Sequence, residues 1–292
     1  MGKANKITVF TLLIIAACVS IFFYQKNPQS VKDIKDLFFN KNENSVINTI
    51  KKEIDTPGAL FAKIESAKAF LSNSGVFSFT NAERKKAGLP LFASNRVLDT
   101  VARARLDDMF AKGYFEHVSP EGQSASTVAE LYGYEYISIG ENIALGNFEN
   151  DQVLVDAWMN SPGHRANILN KKFTSLGVAV GKGIYKGKST WIGVQIFARP
   201  LSLCTKIDET LKNQIDSENT EVSQLQTEIT NLGVELQAMQ KQGRYDRDVY
   251  NQKVDEYNAL AKDINTKITN LKLDIATYNA QVRSFNNCIS SE

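Results

Sequence analysis

Trp158-Met159-Asn160-Ser161-Pro162-Gly163-His164-Arg165-Ala166-Asn167-Ile168-Leu169 sets a histidine directly after a Ser-Pro-Gly turn, between two segments with apolar periodicity. Pro and Gly punctuate regular structure, so this stretch predicts a loop that carries His164, with Arg165 and Asn167 as its braces. Upstream, Leu98, Val101, Ala102, Ala104 and Met109 recur with the period of an amphipathic helix. Gly113-Tyr114-Phe115-Glu116-His117-Val118-Ser119-Pro120 follows, and Gly113 is expected to end that helix and deliver His117 into a second loop. Between the two loops stands Gly140-Glu141-Asn142-Ile143-Ala144, where Glu141 reads as a helix-start or loop-bracing carboxylate. The chain holds 2 histidines, and both fall in these loops.

Further on, Leu176-Gly177-Val178-Ala179-Val180 and Thr190-Trp191-Ile192-Gly193-Val194-Gln195-Ile196-Phe197 read as strands joined by a Gly/Lys-rich turn over 181–188. Helices first and a hairpin last predict an α+β fold, with Trp158 and Trp191 in its core. Two neutral imidazoles and one carboxylate can give zinc three ligands and leave a position open for water. His117, Glu141 and His164 are therefore candidate metal ligands, although their separation along the chain carries no geometry. Ser161 lies three residues before His164 and invites a nucleophile reading. No third orienting group or oxyanion motif accompanies it, so no catalytic residue is assigned.

In this order, the three blocks resemble the CAP superfamily (cysteine-rich secretory, antigen 5 and pathogenesis-related proteins, also called SCP-like), in particular its bacterial branch of secreted or anchored domains. The resemblance covers residues 76–200. It implies an α-β-α sandwich with a central antiparallel sheet and a broad surface cleft. In the family that cleft is lined by two histidines and two acidic residues, holds a divalent metal in some members, and is tied to lipid or sterol binding. His117 and Glu141 match the first histidine and first acid, and His164 is the candidate for the second histidine. Asn142 and Ser161 are placed on the same cleft. The second acid is absent from its expected position, three residues after Trp158, where Ser161 stands.

Ile7 to Tyr24 carries no charge and follows Lys3 and Lys6. Its length is close to the ~20 residues that cross a bilayer as a helix, and the flanking lysines orient it with the N-terminus in the cytoplasm. A single-pass anchor is the preferred reading. A lipoprotein signal, with Ile15-Ala16-Ala17-Cys18 as its lipobox, and a cleaved secretory signal are the alternatives. All three place the remainder outside the cytoplasm. Residues 28–75, rich in Asn, Lys and Ser, read as a spacer in which Val46, Ile47, Ile50 and Ile54 give a helical pattern broken at Thr56-Pro57-Gly58.

From Cys204 onward, Ile207, Leu211, Ile215, Val222, Leu225, Ile229, Leu232, Leu236 and Met239 recur in steps of three and four, with Glu218 as a polar interruption. After Gly243 the pattern resumes through Tyr250, Val254, Tyr257, Ala261, Ile264, Ile268, Leu271, Ile275, Tyr278, Val282 and Phe285. These are coiled-coil seams. An antiparallel hairpin over 204–288 is expected, turning in Gly243-Arg244-Tyr245-Asp246. In an exported chain, Cys204 and Cys288 are expected to form a disulfide at its base. The hairpin reads as a rigid spacer or self-association element, with a partner-binding arm as the alternative.

The overall balance is near neutral, with 34 Lys+Arg against 32 Asp+Glu. No dense basic cluster with interleaved aromatics occurs, so nucleic acid is not an expected partner. The expected function is a non-catalytic, membrane-tethered extracellular domain whose cleft binds a small, lipid-like or envelope ligand. The alternative is a metal-dependent hydrolase, with zinc, acting on peptide or cell-wall material.

Overall fold

The computed structural model describes residue 50 and residues 52–290 of the chain. The expected anchor over Ile7–Tyr24, Cys18 and the spacer up to residue 49 lie outside the described residues. Among the described residues no helix is long and apolar enough to cross a membrane. The described residues divide into two compact units, one of residues up to 205 together with 288–290 and one of residues 206–287.

The first unit is built on a sheet of six strands: β1 (Glu53–Asp55), β2 (Leu60–Phe61), β3 (Ala93–Ser94), β4 (Tyr136–Leu145), β5 (Ser175–Tyr185) and β6 (Lys188–Pro200). Its order is β1-β4-β6-β5-β3, with β2 also on β4. The long strands β4, β6 and β5 are antiparallel, as the family resemblance implies, but the short β1, β2 and β3 join them in parallel. The sheet is therefore mixed. The segment expected as a spacer up to residue 75 supplies β1 and β2, both on the edge of β4.

Side chains alternate along the strands and fill two cores. On one face, α2 (Arg96–Lys112) and α3 (Ala125–Leu131) pack through Leu98, Val101, Leu106 and Met109 against Ile139, Ile143, Val194 and Ile196. On the other, α1 (Asn73–Lys86), α4 (Asp151–Met159) and α5 (Pro162–Leu169) pack through Val76, Leu154, Trp158 and Ile168 against Leu176, Val178 and Phe197. The layers are helix, sheet, helix. Asn95 caps α2 by accepting from the Val97 and Leu98 amides, and Gly113 ends it in the left-handed conformation at φ 69°.

Two local expectations change. The turn expected over 181–188 shrinks to Lys186-Gly187, both at positive φ (49° and 79°), and the strands run up to it. Gly181 and Gly183 remain in β5 because α2 lies close against it: a Cβ at Gly183 would come within 2.8 Å of the Phe110 ring. His164 also leaves the expected loop. Ser161 is the N-cap and Pro162 the first residue of α5, so the Ser-Pro-Gly turn is itself a helix start.

The second unit contains α6 (Glu209–Gln242) and α7 (Arg247–Ser290). Gly243 ends α6 at φ 68°, and the Asp246 carboxylate accepts from the Asp248 and Val249 amides to start α7. The ion pairs Lys253–Glu235 and Lys267–Glu221 and the Gln214–Asp274 hydrogen bond are each centred on residue 244, so the helices run antiparallel. Val222 and Ile229 pack against Ile264, Ile268 and Leu271. Cys204 and Cys288 are joined with an Sγ–Sγ distance of 2.00 Å.

Candidate functional site

Glu141 occupies the middle of β4, not a loop or helix start. Its side chain is completely buried on the α2 face. Burying a carboxylate there requires compensation, and two groups supply it. Arg105 on α2, itself 1% exposed, donates from Nε to Oε1 at 3.0 Å. His117 donates from Nδ1 to Oε2 at 2.6 Å. Burial alone would lower the Arg105 guanidinium's pKa, but the Glu141 carboxylate outweighs this and holds it above the usual value.

The same guanidinium holds the loop that carries His117. Nη1 donates to the Tyr114 hydroxyl at 2.8 Å and to the Gln123 carbonyl at 3.4 Å, and Nη2 to the Glu116 carbonyl at 3.0 Å. Tyr114 donates in turn to Asp108, which pairs with Lys112, and Lys112 also reaches Glu121. Burial first, and then the bond to Asp108, push the Tyr114 hydroxyl up to about 12.

His164 belongs to the opposite helical layer, on α5, and is 2% exposed. Its Nδ1 lies 2.8 Å from Ser161 Oγ. Ser161 thus spends its hydroxyl on a side chain instead of capping the helix backbone. Burial pushes the His164 imidazole down to about 4; the nearby charge of His117 adds to this, and the Ile143 backbone acts weakly in the opposite direction. His164 is accordingly neutral at physiological pH, and close enough to His117 to feel a charge there.

The sheet edge explains how residues of two layers meet. β1 registers with Ser138–Gly140 and β2 with Ala144–Leu145. Glu141, Asn142 and Ile143 are left between them with no strand partner on that side among the described residues. Asn167 on α5 covers part of the gap, its Nδ2 reaching the Glu141 and Asp55 carbonyls.

Asn142 points to the α5 face, and its amide is spent inside the protein. It donates to the His164 carbonyl and to Gln195 Oε1, and accepts from Asn167 Nδ2 at 3.0 Å. Gln195 passes the chain on to Thr80, and Thr80 to the Val76 carbonyl. Asn142 is therefore a brace between sheet and helices, not a group presented to a ligand.

Each Glu141 oxygen already accepts one hydrogen bond, Oε1 from Arg105 and Oε2 from His117, and the second of these takes up His117 Nδ1. Among the described residues, no group of three His, Cys, Asp or Glu side chains is arranged to hold a metal ion. Among the described residues, Ser161 is the one side chain hydrogen-bonded to the His164 ring, and no carboxylate orients it as a triad requires. What remains is a pair of imidazole Nε2 atoms. Both are buried; among the described residues His117 Nε2 finds no hydrogen-bond partner, and His164 Nε2 has none of good geometry, although the Ile143 backbone lies near enough to act on the ring as an acceptor.

Sequence reasoning missed Arg105, although a signal existed. On α2 the inward stripe runs Leu98, Val101, Ala102, Leu106, Met109, and Arg105 sits within it. A charge on an apolar stripe demands a buried partner. Arg84 gives the same signal on α1: it is 1% exposed, donates to the carbonyls of Pro90, Ile168 and Asn170, and fixes the C-terminal end of α5.

Comparison with known proteins bears on residues 77–197, which match the CAP family, described as the cysteine-rich secretory protein family. An uncharacterized Bacillus subtilis protein, YkwD, is 44% identical over 116 residues, covering 40% of this chain and 43% of YkwD. An uncharacterized B. subtilis membrane protein, YlbC, is 34% identical over 114 residues, covering 39% of this chain and 33% of YlbC. A solved extracellular protein containing an SCP domain from Bacillus anthracis is 32% identical, with a TM-score of 0.37 over 43% of this chain and 39% of that one. The chain spans less than half the length of these relatives. Through residues 77–197, the chain carries a CAP domain of the cysteine-rich secretory protein family.

Proposed function

We propose that this is an exported CAP protein, tethered to the membrane by the segment Ile7–Tyr24, that binds a small or lipid-like envelope ligand at His117 and His164 without turning it over. The observation that carries the reading is the pair of buried Nε2 atoms that lack a partner of good geometry. A polar atom buried without a partner costs about 1–3 kcal/mol, and such an exception in a native fold calls for an explanation.

The tautomers narrow the ligand class. Glu141 accepts from His117 Nδ1, which leaves Nε2 a bare acceptor in the neutral ring. If Ser161 donates to His164 Nδ1, then His164 Nε2 carries a proton and is a donor. A hydroxyl group on the ligand donates to the first and accepts from the second. Membrane tethering is supported by the charge pattern of the N-terminus, and the helical hairpin serves as a spacer or contact arm.

The test is a metal and small-molecule inventory of protein purified from its native envelope. The reading expects a hydroxyl-bearing compound at near-stoichiometric amount and zinc well below it. Stoichiometric zinc, with chelator-sensitive hydrolysis of peptide or cell-wall material, would replace it with the hydrolase reading.

A further inference from the structure

Residues 53–61 precede the stretch that matches the CAP family, yet they run along the β4 edge and pack on both segments that carry a histidine. Pro57 rests on Gly163, the residue before His164: a Cβ at Gly163 would come within 2.6 Å of the Pro57 Cβ. Phe61 packs edge-to-face on Phe115, two residues before His117, with the ring centroids 5.2 Å apart. Between them, Ala59 packs against the core that holds Phe115 and Ile143. The strap Thr56-Pro57-Gly58-Ala59 thus passes from the His164 side to the His117 side, along the part of β4 that carries Glu141 and Asn142. We propose that this strap is a lid on the candidate site, closed in this structure, and that a ligand reaches the two imidazoles when the strap lifts from the β4 edge.

The strap is held loosely. Asp55 registers with Gly140 and Leu60 with Ala144, so the strap takes five steps where β4 takes four. One residue is extra, and the backbone bulges away from its neighbour. Pro57 has no amide proton to give to a ladder, and nothing lies within 4 Å of a Cβ at Gly58. The flanking strands are three and two residues long. The ion pairs at the first of them, Lys52–Glu130 and Lys172–Glu53, are solvent-exposed and contribute little. Segments with so few buried contacts open well before a domain unfolds.

The floor of the site is the opposite. Glu141, Asn142 and His164 are buried and tied by hydrogen bonds to helices of both layers. A fixed floor under a loosely held cover admits a ligand by exchange with a segment of the chain itself. The inference rests on the reading of His117 and His164 as the binding groups, but its test needs no ligand.

The experiment is acylation of the full chain by diethyl pyrocarbonate at pH 7.5, read histidine by histidine with peptide mass spectrometry. The reagent modifies imidazoles that it can reach, and the chain has 2 histidines. Wild type should react at both of them about a hundredfold more slowly than the same chain in denaturant. Gly163→Ala drives a methyl group into the Pro57 ring, and Pro57→Gly removes the ring; each should raise both rates about tenfold over wild type. Gly183→Ala makes a comparable clash with the Phe110 ring, away from the strap, and should react as wild type does. An unchanged rate in either folded strap variant, rapid acylation of folded wild type, or equal acceleration in Gly183→Ala overturns the lid. Should Gly163→Ala fail to fold, Pro57→Gly against Gly183→Ala decides on the same terms. A lid shown in this way on a protein that carries no compound overturns the ligand reading alone; a bound compound with unchanged rates overturns the lid alone.

Discussion

Glu141 and Asn142 are adjacent on β4 and face opposite layers, so the pleat alone gives them different work. The carboxylate faces Arg105 and His117, whereas the amide links the His164 carbonyl, Gln195 and Asn167. Replacing Asn142 with Ala strands the partners of a continuous hydrogen-bond chain. We expect a loss of about 2 kcal/mol in denaturant unfolding, with ligand retention in the folded protein unchanged. A ligand role for Asn142 would show the reverse. His164 gives a pH signature. Its folded-state pKa of about 4 lies below the ordinary 6.5, so between these values the unfolded chain binds a proton that the folded chain refuses. Stability therefore falls as pH drops from about 6.5 to about 4, by about 3 kcal/mol. Thermal melts across that window should show the slope in wild type and a shallower one in His164→Gln; equal slopes would contradict it. At this scale the sequence was partly legible. His117 and Glu141 stand in recognisable blocks, but the guanidinium that binds them lies on a helix whose period hides a charge within an apolar stripe.

At the scale of elements, turn residues were readable where the backbone needed them. Gly113 and Gly243 end α2 and α6 at positive φ, as their positions suggested. Glycines that serve packing were misread, because Gly181 and Gly183 look like turn residues until the helix lying against β5 is known. Gly177 is the strictest case: a Cβ there would lie 2.1 Å from the Leu98 backbone carbon and 2.4 Å from the Asp99 nitrogen. Neither backbone atom can yield without moving the start of α2. Gly177→Ala should destabilise the CAP domain by about 3 kcal/mol, and a melting temperature within error of wild type would refute this close approach. In the hairpin, the alternating three-and-four spacing did locate the inward stripe. Ile268 packs in the core shared by α6 and α7, and Ile268→Ala should cost about 3 kcal/mol, read as an earlier loss of helical circular dichroism.

At the scale of the molecule, the Cys204–Cys288 bond closes a separation of 84 residues around the two long helices. In the chain-entropy account a loop of that length contributes about 4 kcal/mol. Changing both cysteines to Ser should therefore shift hairpin melting to lower temperature. An unshifted transition would mean that the helical seam already restrains the unfolded chain. The cysteines could be paired from the sequence because two lie beyond the expected anchor, one at each end of the expected hairpin. The edge gap between β1 and β2 could not, since those strands are too short to leave a pattern. His117 and His164 come from two layers and lie within electrostatic reach of one another, and the account rests on that meeting. The most direct test is native mass spectrometry of the full chain purified from its native cells, wild type against the double variant His117→Ala/His164→Ala. The account predicts a bound compound on wild type that is absent from a variant melting within a few degrees of it. A variant that keeps the compound, or one that no longer folds, would contradict it.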